Sequence, residues 1–381
     1  MNNQLAHLQT QLLPQLCSDK VLDEAYCWLR TSRQNSHHNN LYWSFISKDW
    51  SVTKARLRHL LRAGEYQISP LQIITLHDGT EQAMQVSQWE PLDAIVLKAL
   101  MLALTPHVTN QIDLSAATHL KHHGGLKYAV QQGAKHTQAH LGGYAFKTDI
   151  KDYYASINHR TLHDQCCKLI HDRRIQDLLW QVMNRVHVNR GHHRLIEWQS
   201  IPRGCPLSPL FAALYLQPLD ALMKKHHCAY VRYMDDFIIF SKTRHGLRRI
   251  KKQCYQILDQ LGLKLSFEKT WVGRLRADDA AYKLPAQVNL AEPVNGFTFL
   301  GYHFAFRQGV MRLMVANRTW QRMTTRLFRL YEQGATKTRL AVYVKNWLRW
   351  AKTGVALNIE QLFSTIKIRI KSVGLKMDLL L

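Results

Sequence analysis

Tyr230-Val-Arg-Tyr-Met-Asp-Asp-Phe-Ile-Ile-Phe240 is the stretch whose reading decides the fold. Apolar residues flank two adjacent acids. Successive side chains of a strand point to opposite faces. Two acids inside one central strand would therefore bury at least one unpaired charge, which is costly. The conflict disappears if Met234-Asp235 forms a tight hairpin turn between two buried strands. The acids then lie at the rim of a sheet, where a cation can neutralise them. An ordinary polar Asp-Asp turn would give the same local pattern, so the meaning of the pair depends on what else the chain brings to that rim.

A second strand-like run, Phe146-Lys-Thr-Asp-Ile-Lys-Asp-Tyr-Tyr-Ala-Ser-Ile157, ends in an acid at Asp149 and passes into helix-compatible sequence with Asp152 placed as a cap. Two strand-end carboxylates meeting in one sheet can hold two divalent metals about 4 Å apart. Hard Mg2+ takes carboxylate oxygens, waters and substrate phosphates. Such a site suits phosphoryl transfer done by positioning and charge, without a covalent nucleophile. Between the two runs lies Ile201-Pro-Arg-Gly-Cys-Pro-Leu-Ser-Pro-Leu210, a Pro/Gly loop feeding an apolar helix. Gly204 would let the backbone approach a ligand closely.

The 381 residues allow two or three domains, or one multi-lobed enzyme. With 46% hydrophobic and 20% charged residues the chain is neither disordered nor of low complexity. Lysine and arginine number 51 against 27 acids, a formal net charge of +24 that points to a polyanionic partner. The longest apolar run, Ala94 to Leu104, is broken by Lys98, so no transmembrane helix and no membrane partner are expected. Residues Met1 to Leu13 lack the apolar core of a signal peptide. Seven cysteines without a CxxC pair fit a reducing, cytoplasmic interior. The histidines 119, 122, 123, 136 and 140 lack a carboxylate or thiolate partner before Asp149, and read as a polar or RNA-facing surface rather than a metal site.

Three zones differ in texture. Residues 1–140 mix helical patterns with the histidine-rich stretch; Asp93 to Leu104 is helical and is expected to stop at Thr105-Pro106. Residues 141–305 alternate short apolar runs, such as Phe237–Phe240 and Phe297–Leu300, with longer helices such as Leu247–Leu261, ended by Gly262. Residues 306–381 read as helical and very basic, with fifteen Lys or Arg between Arg307 and Lys376 against Glu332 and Glu360. Arg318, Arg322, Arg326 and Arg329 form a positive stripe along one helical face. Trp320, Phe328, Tyr343, Trp347 and Trp350 interleave with the cations and are expected to be buried beneath them.

In order and spacing these segments resemble the palm motifs of reverse transcriptases over roughly residues 85 to 305. Asp149-Ile-Lys-Asp-Tyr-Tyr is similar to the first catalytic motif, Pro202-Arg-Gly-Cys-Pro-Leu-Ser-Pro to the second, and Tyr233-Met-Asp-Asp to the third. Gly262-Leu-Lys-Leu-Ser-Phe-Glu-Lys-Thr270 resembles the fourth, and Phe297-Thr-Phe-Leu-Gly-Tyr302 the primer grip. The resemblance implies an α+β fold of right-hand polymerase architecture: an N-terminal extension with fingers over 1–140, a palm of antiparallel sheet plus helices over 141–305, and a basic helical thumb over 306–381.

The same resemblance assigns roles. Asp149, Asp235 and Asp236 would carry two Mg2+ ions, with Mn2+ as a substitute, and the Ile150 carbonyl would complete a coordination shell. Tyr154 would exclude a 2′-hydroxyl, and Lys269 would meet the leaving pyrophosphate. Phe299, Leu300 and Gly301 would hold the primer end, and the Arg318–Arg329 stripe would grip RNA phosphates. The family usually has glutamine where this chain has Arg203, and commonly a basic residue where it reads Glu81-Gln-Ala-Met-Gln85. Arg203, beside Gly204, would then partly replace that missing charge on the nucleotide.

The branch resembled is the bacterial group II intron and retron superfamily. Gly124-Gly-Leu-Lys-Tyr-Ala129 is similar to its finger elements, whereas the usual retron Asn-Ala-x-x-His and Val-Thr-Gly segments are not found. Elimination leaves a stand-alone, defence-associated enzyme that makes cDNA from a structured non-coding RNA and dNTPs, its oligomeric state open. Two other readings compete with this one. Tyr154 and the Tyr-Met-Asp-Asp form argue against an RNA-dependent RNA polymerase. Retention of three acids argues against a non-catalytic RNA scaffold with a relic palm, because clustered acids without a cation are a liability.

Overall fold

The computed structural model describes residues 11–33, 46, 48–76, 84–189, 192–195, 198–275, 296–307 and 310–352. Glu81 to Ala83 of the finger strand and residues 353–381 of the basic zone lie outside the described residues. The helices that position the site are, in chain order, α1 (Asp19–Arg33), α2 (Trp50–Ala63), α3 (Pro91–Thr109), α4 (Gly125–Ala139), α5 (Tyr153–Ser156), α6 (His159–Cys167) and α7 (Arg173–Met183). They continue with α8 (Ser208–Tyr215), α9 (Gln217–Lys225), α10 (Arg244–Gln260), α11 (Asn317–Glu332) and α12 (Lys337–Lys352). The strands are β1 (Leu71–Leu76), β2 (Met84–Gln88), β3 (Tyr144–Asp149), β4 (Val186–Asn189), β5 (His192–Leu195) and β6 (Ala229–Tyr233). After them come β7 (Asp236–Ser241), β8 (Trp271–Arg274), β9 (Gly296–Phe299), β10 (Tyr302–Arg307) and β11 (Val310–Val315). The fold is α+β.

The chain divides into two compact units, each woven from three separate stretches. The first takes in residues 1–120, 150–224 and 254–264. Its sheet runs β2-β1-β4-β5, with β1 and β4 parallel and the outer pairs antiparallel. Helix α3 starts with Pro91 in its first turn, where a missing N–H costs nothing, and packs against α1. It does not stop at Thr105-Pro106 as expected. It runs on through Pro106, and the Thr105 hydroxyl donates to the Met101 carbonyl (2.7 Å), adding a bond where proline disrupts the ladder. By length and composition alone α3 is apolar enough to cross a membrane despite Lys98, a test that a buried core helix also passes. Its Ile95, Val96, Leu97 and Leu100 are instead fully buried in the fold.

Two local features of this unit bear on the motifs. Asp152 stands at the head of α5 but does not cap it. Its backbone is left-handed (φ 46°) and no side-chain bond forms, whereas side-chain capping needs an extended residue. The Pro/Gly loop is stiff: Ser208 Oγ donates to the Pro202 carbonyl at 2.6 Å, and Gly204 takes φ 80°, open to glycine at little cost.

The second unit takes in residues 121–149, 225–253 and 265–381. Its larger sheet is antiparallel throughout, in the order β6-β7-β3-β8. Phe237–Phe240 forms the buried strand β7, as the apolar run predicts. A smaller sheet, β11-β10-β9, carries Phe297 stacked on Phe304 at 4.9 Å. The helical texture expected from Phe306 begins only at Asn317, because Val310-Met-Arg-Leu-Met-Val315 pairs with β10. Trp320 is buried and meets Trp347 at 4.6 Å, whereas Phe328 is exposed, against expectation.

Candidate active site

Strands β3 and β7 place Asp149 directly opposite Asp236. Tyr233 pairs with Asp236 across the β6–β7 hairpin, so Met234 and Asp235 form its two-residue turn. Met234 takes φ 57°, the positive value that primed hairpin turns use to match strand twist. A fully buried arginine, Arg232, donates to the Met234 carbonyl at 3.0 Å and steadies that turn. Three carboxylates from two distant stretches therefore share one end of the sheet, and Asp149 and Asp235 are close enough to share a hydrogen bond.

Charge at this end is held under tension. Burial pushes the Asp235 carboxyl up to about 6, and the neighbouring Asp149 charge adds to the effect. Burial pushes Asp236 up to about 7, with Lys147 opposing the rise. Lys147 Nζ stands 3.3 Å from Asp236 Oδ1. That oxygen is nevertheless buried without a hydrogen bond. Lys269 Nζ donates to Asp149 Oδ2 at 2.6 Å, and that bond raises the ammonium above its ordinary value.

A one-turn 3-10 helix, Phe267–Lys269, sets Lys269 in place. Ser266 N–H donates to the Asp149 carbonyl at 2.8 Å, and Lys147 Nζ donates to the Lys269 carbonyl at 3.2 Å. Among the described residues, no group of three or more His, Cys, Asp or Glu forms a ready-made metal cage. The donor set still fits a hard divalent cation. Mg2+ is commonly held by one or two carboxylates, with waters and substrate phosphates completing the shell. A cation here would meet a buried carboxylate oxygen that lacks a hydrogen bond and two carboxyls whose ionisation burial disfavours.

The structure thus brings together Asp149, Asp235, Asp236 and Lys269. Sequence reasoning missed Lys147 and Arg232. The signal for Lys147 was present: two residues before Asp149 on one strand, it shares a face with it. In the other unit, Ile150 is buried and could offer a cation only its backbone carbonyl. Tyr154 is half-buried, edge-on to Tyr153 at 6.1 Å, and its carbonyl accepts from Ile201 N–H at 2.8 Å. Arg203 and Gly204 are exposed in the turn that follows.

Phe299 is fully buried at the end of β9. Leu300 (φ 50°) and Gly301 (φ 85°) form the two-residue turn into β10, both with the positive φ of a type I′ hairpin. Arg318, Arg322, Arg326 and Arg329 line one groove along α11 together with Gln321 and Thr325. In the histidine-rich stretch, His119 Nε2 lies 3.1 Å from the Pro209 carbonyl and His136 sits 5.8 Å from the Phe240 ring.

Residues 84–304 match the family model described as reverse transcriptase (RNA-dependent DNA polymerase), more than half of the chain. The chain belongs to the reverse transcriptase family. Its fold is accordingly that of a right-hand polymerase, and its class of activity is RNA-directed DNA polymerase, a nucleotidyltransferase working with an RNA template and dNTPs. Protein YkfC of Escherichia coli K12 is 23% identical over 303 residues, covering 68% of this chain and 73% of YkfC. Protein P of hepatitis B virus genotype D is 28% identical over 113 residues, covering 29% of this chain and 13% of protein P. Among solved structures, apo telomerase from Candida tropicalis covers 69% of this chain and 59% of its own, at 13% identity and a TM-score of 0.42.

Proposed function

We propose that this reverse transcriptase copies a structured non-coding RNA into cDNA, with its chemistry at the end of the β6-β7-β3-β8 sheet. The observation that carries the reading is the register that sets Asp149 against Asp236, with Asp235 in the adjoining turn. Asp149, Asp235, Asp236 and the Ile150 carbonyl would hold two divalent ions, Mg2+ or Mn2+, whose chemistry is activation of the primer 3′-hydroxyl and neutralisation of the triphosphate.

The chain's own residues do the rest. Lys269 keeps its proton because Asp149 stabilises the ammonium, and meets the departing pyrophosphate as a positive clamp. Arg203 offers paired hydrogen bonds to phosphate oxygens of the incoming nucleotide. Tyr154 closes the space beside the sugar to a 2′-hydroxyl. Phe299, Leu300 and Gly301 support the primer end. The α11 arginines bind duplex phosphates without reading sequence.

The finer setting is a bacterial enzyme of antiphage defence, acting in the cytoplasm with a dedicated RNA. It rests on the motif pattern, and the +24 charge supports a polyanionic partner. Primer extension with matched dNTPs and NTPs tests the substrate reading. The wild type should extend with dNTPs, and Tyr154→Ala should gain NTP incorporation by at least tenfold. Equal use of both nucleotides by the wild type would contradict it.

A further inference from the structure

Trp198 combines three properties that packing alone does not explain. It is 55% exposed, its φ is 71°, and the guanidinium of Arg160 lies over its ring at 4.7 Å. A positive φ is uncommon for a bulky residue and costs stability, and it persists only where the surroundings impose it. Here they do. His159 N–H donates to the Trp198 carbonyl at 2.7 Å, and Ser200 N–H donates to the Ile157 carbonyl at 2.8 Å. Asn158 and Gln199 form an isolated antiparallel bridge between those bonds. Ser200 is also left-handed, at φ 93°, and its carbonyl accepts from the guanidinium of Arg185, a buried residue, at 3.0 Å. The framework is spent on presenting a large aromatic ring to solvent.

The ring is tied to the element that carries Tyr154. Ile201 N–H bonds the Tyr154 carbonyl, and the three Cα-to-Cα steps from Trp198 to Ile201 span at most about 11 Å. Arg160 opens helix α6, whose first turn is fixed by Asn158 Oδ1 accepting from Thr161 N–H at 3.0 Å. Indole surfaces stack nucleobases of any identity, and an arginine over the ring adds a cation–π contribution and a positive charge for the nucleic-acid backbone.

We propose that Trp198 and Arg160 form a stacking platform for an unpaired base of the RNA template, next to the nucleotide site. This rests on the polymerase reading above, but its test does not need turnover. The full chain is titrated without dNTPs against two hybrids sharing one primer–RNA duplex, one blunt and one with a single-stranded RNA extension. Trp198→Ala should weaken binding of the extended hybrid roughly 5- to 100-fold and leave the blunt hybrid unchanged, while Trp198→Phe keeps most of the affinity.

Trp198→Gly serves as the folding control. Glycine suits φ 71°, so this variant should melt above Trp198→Ala yet bind the extension as weakly. Unchanged affinity for the extended hybrid in Trp198→Ala, or an equal loss on both hybrids, would overturn the proposal. A wild type that extends no primer but still holds the overhang through Trp198 would sink the polymerase reading and leave the platform standing.

Discussion

Asp236 carries the electrostatic cost of the site at the residue scale. Its carboxyl is raised to about 7 and that of Asp235 to about 6, in both cases chiefly by burial. Both lie above the carboxylate value of 3.8. Between about pH 4 and pH 7 the folded chain therefore binds more protons than the unfolded chain, and stability falls as pH rises through that window. The pair contributes a loss on the order of a few kcal/mol by pH 8. Thermal melts in chelator should show a lower Tm at pH 8 than at pH 5. Asp235→Asn with Asp236→Asn should flatten that slope. Asp93, also raised to about 6 by burial, titrates in the same direction, so the double variant is what isolates the site. A slope unchanged by the double variant would show that these carboxyls ionise freely in the folded chain.

Among the elements, the β9–β10 turn is tightly specified. Gly301 has φ 85°, and a Cβ there would stand 3.0 Å from two atoms of the Trp350 ring and 3.2 Å from Thr319 Oγ1. Thr319 Oγ1 already donates to the Gly301 carbonyl at 3.0 Å. Gly301→Ala should therefore destabilise by roughly 1–3 kcal/mol, read as a lower urea midpoint with an unchanged m-value; an unchanged midpoint would contradict the packing. Hairpins of this kind were legible in the sequence. Tyr230–Phe240 shows the switch from apolar strand to acid and back, and only a turn satisfies it. Strand β11 was not legible, because its Val, Leu and Met suit a helix as well as a strand and only pairing with β10 decides between them. Helix α3 was misjudged at Pro106, where tertiary burial of its apolar face outweighs one lost backbone bond. Lys147 shares a strand face with Asp149, a signal the sequence carries, but its ion pair with Asp236 shows only once the β3–β7 register is known.

For the molecule as a whole, charge is the dominant property: 51 cations against 27 acids. The four arginines along α11 share one groove, and a phosphate backbone would relieve their repulsion. Affinity for an RNA–DNA hybrid should fall steeply with salt, and replacing all four with Gln should shrink the slope of log K against log salt by about 3. A slope untouched by the four changes would remove this groove from the nucleic-acid interface. The three aspartates come from stretches more than eighty positions apart in the chain, and the claim that they act as one site is tested most directly by primer extension on an RNA template with dNTPs and Mg2+. Asp149→Asn, Asp235→Asn and Asp236→Asn should each cut single-turnover extension by at least a hundredfold while hybrid affinity stays within about threefold of wild type. Extension at the wild-type rate by the Asp235→Asn, Asp236→Asn double variant would contradict the account.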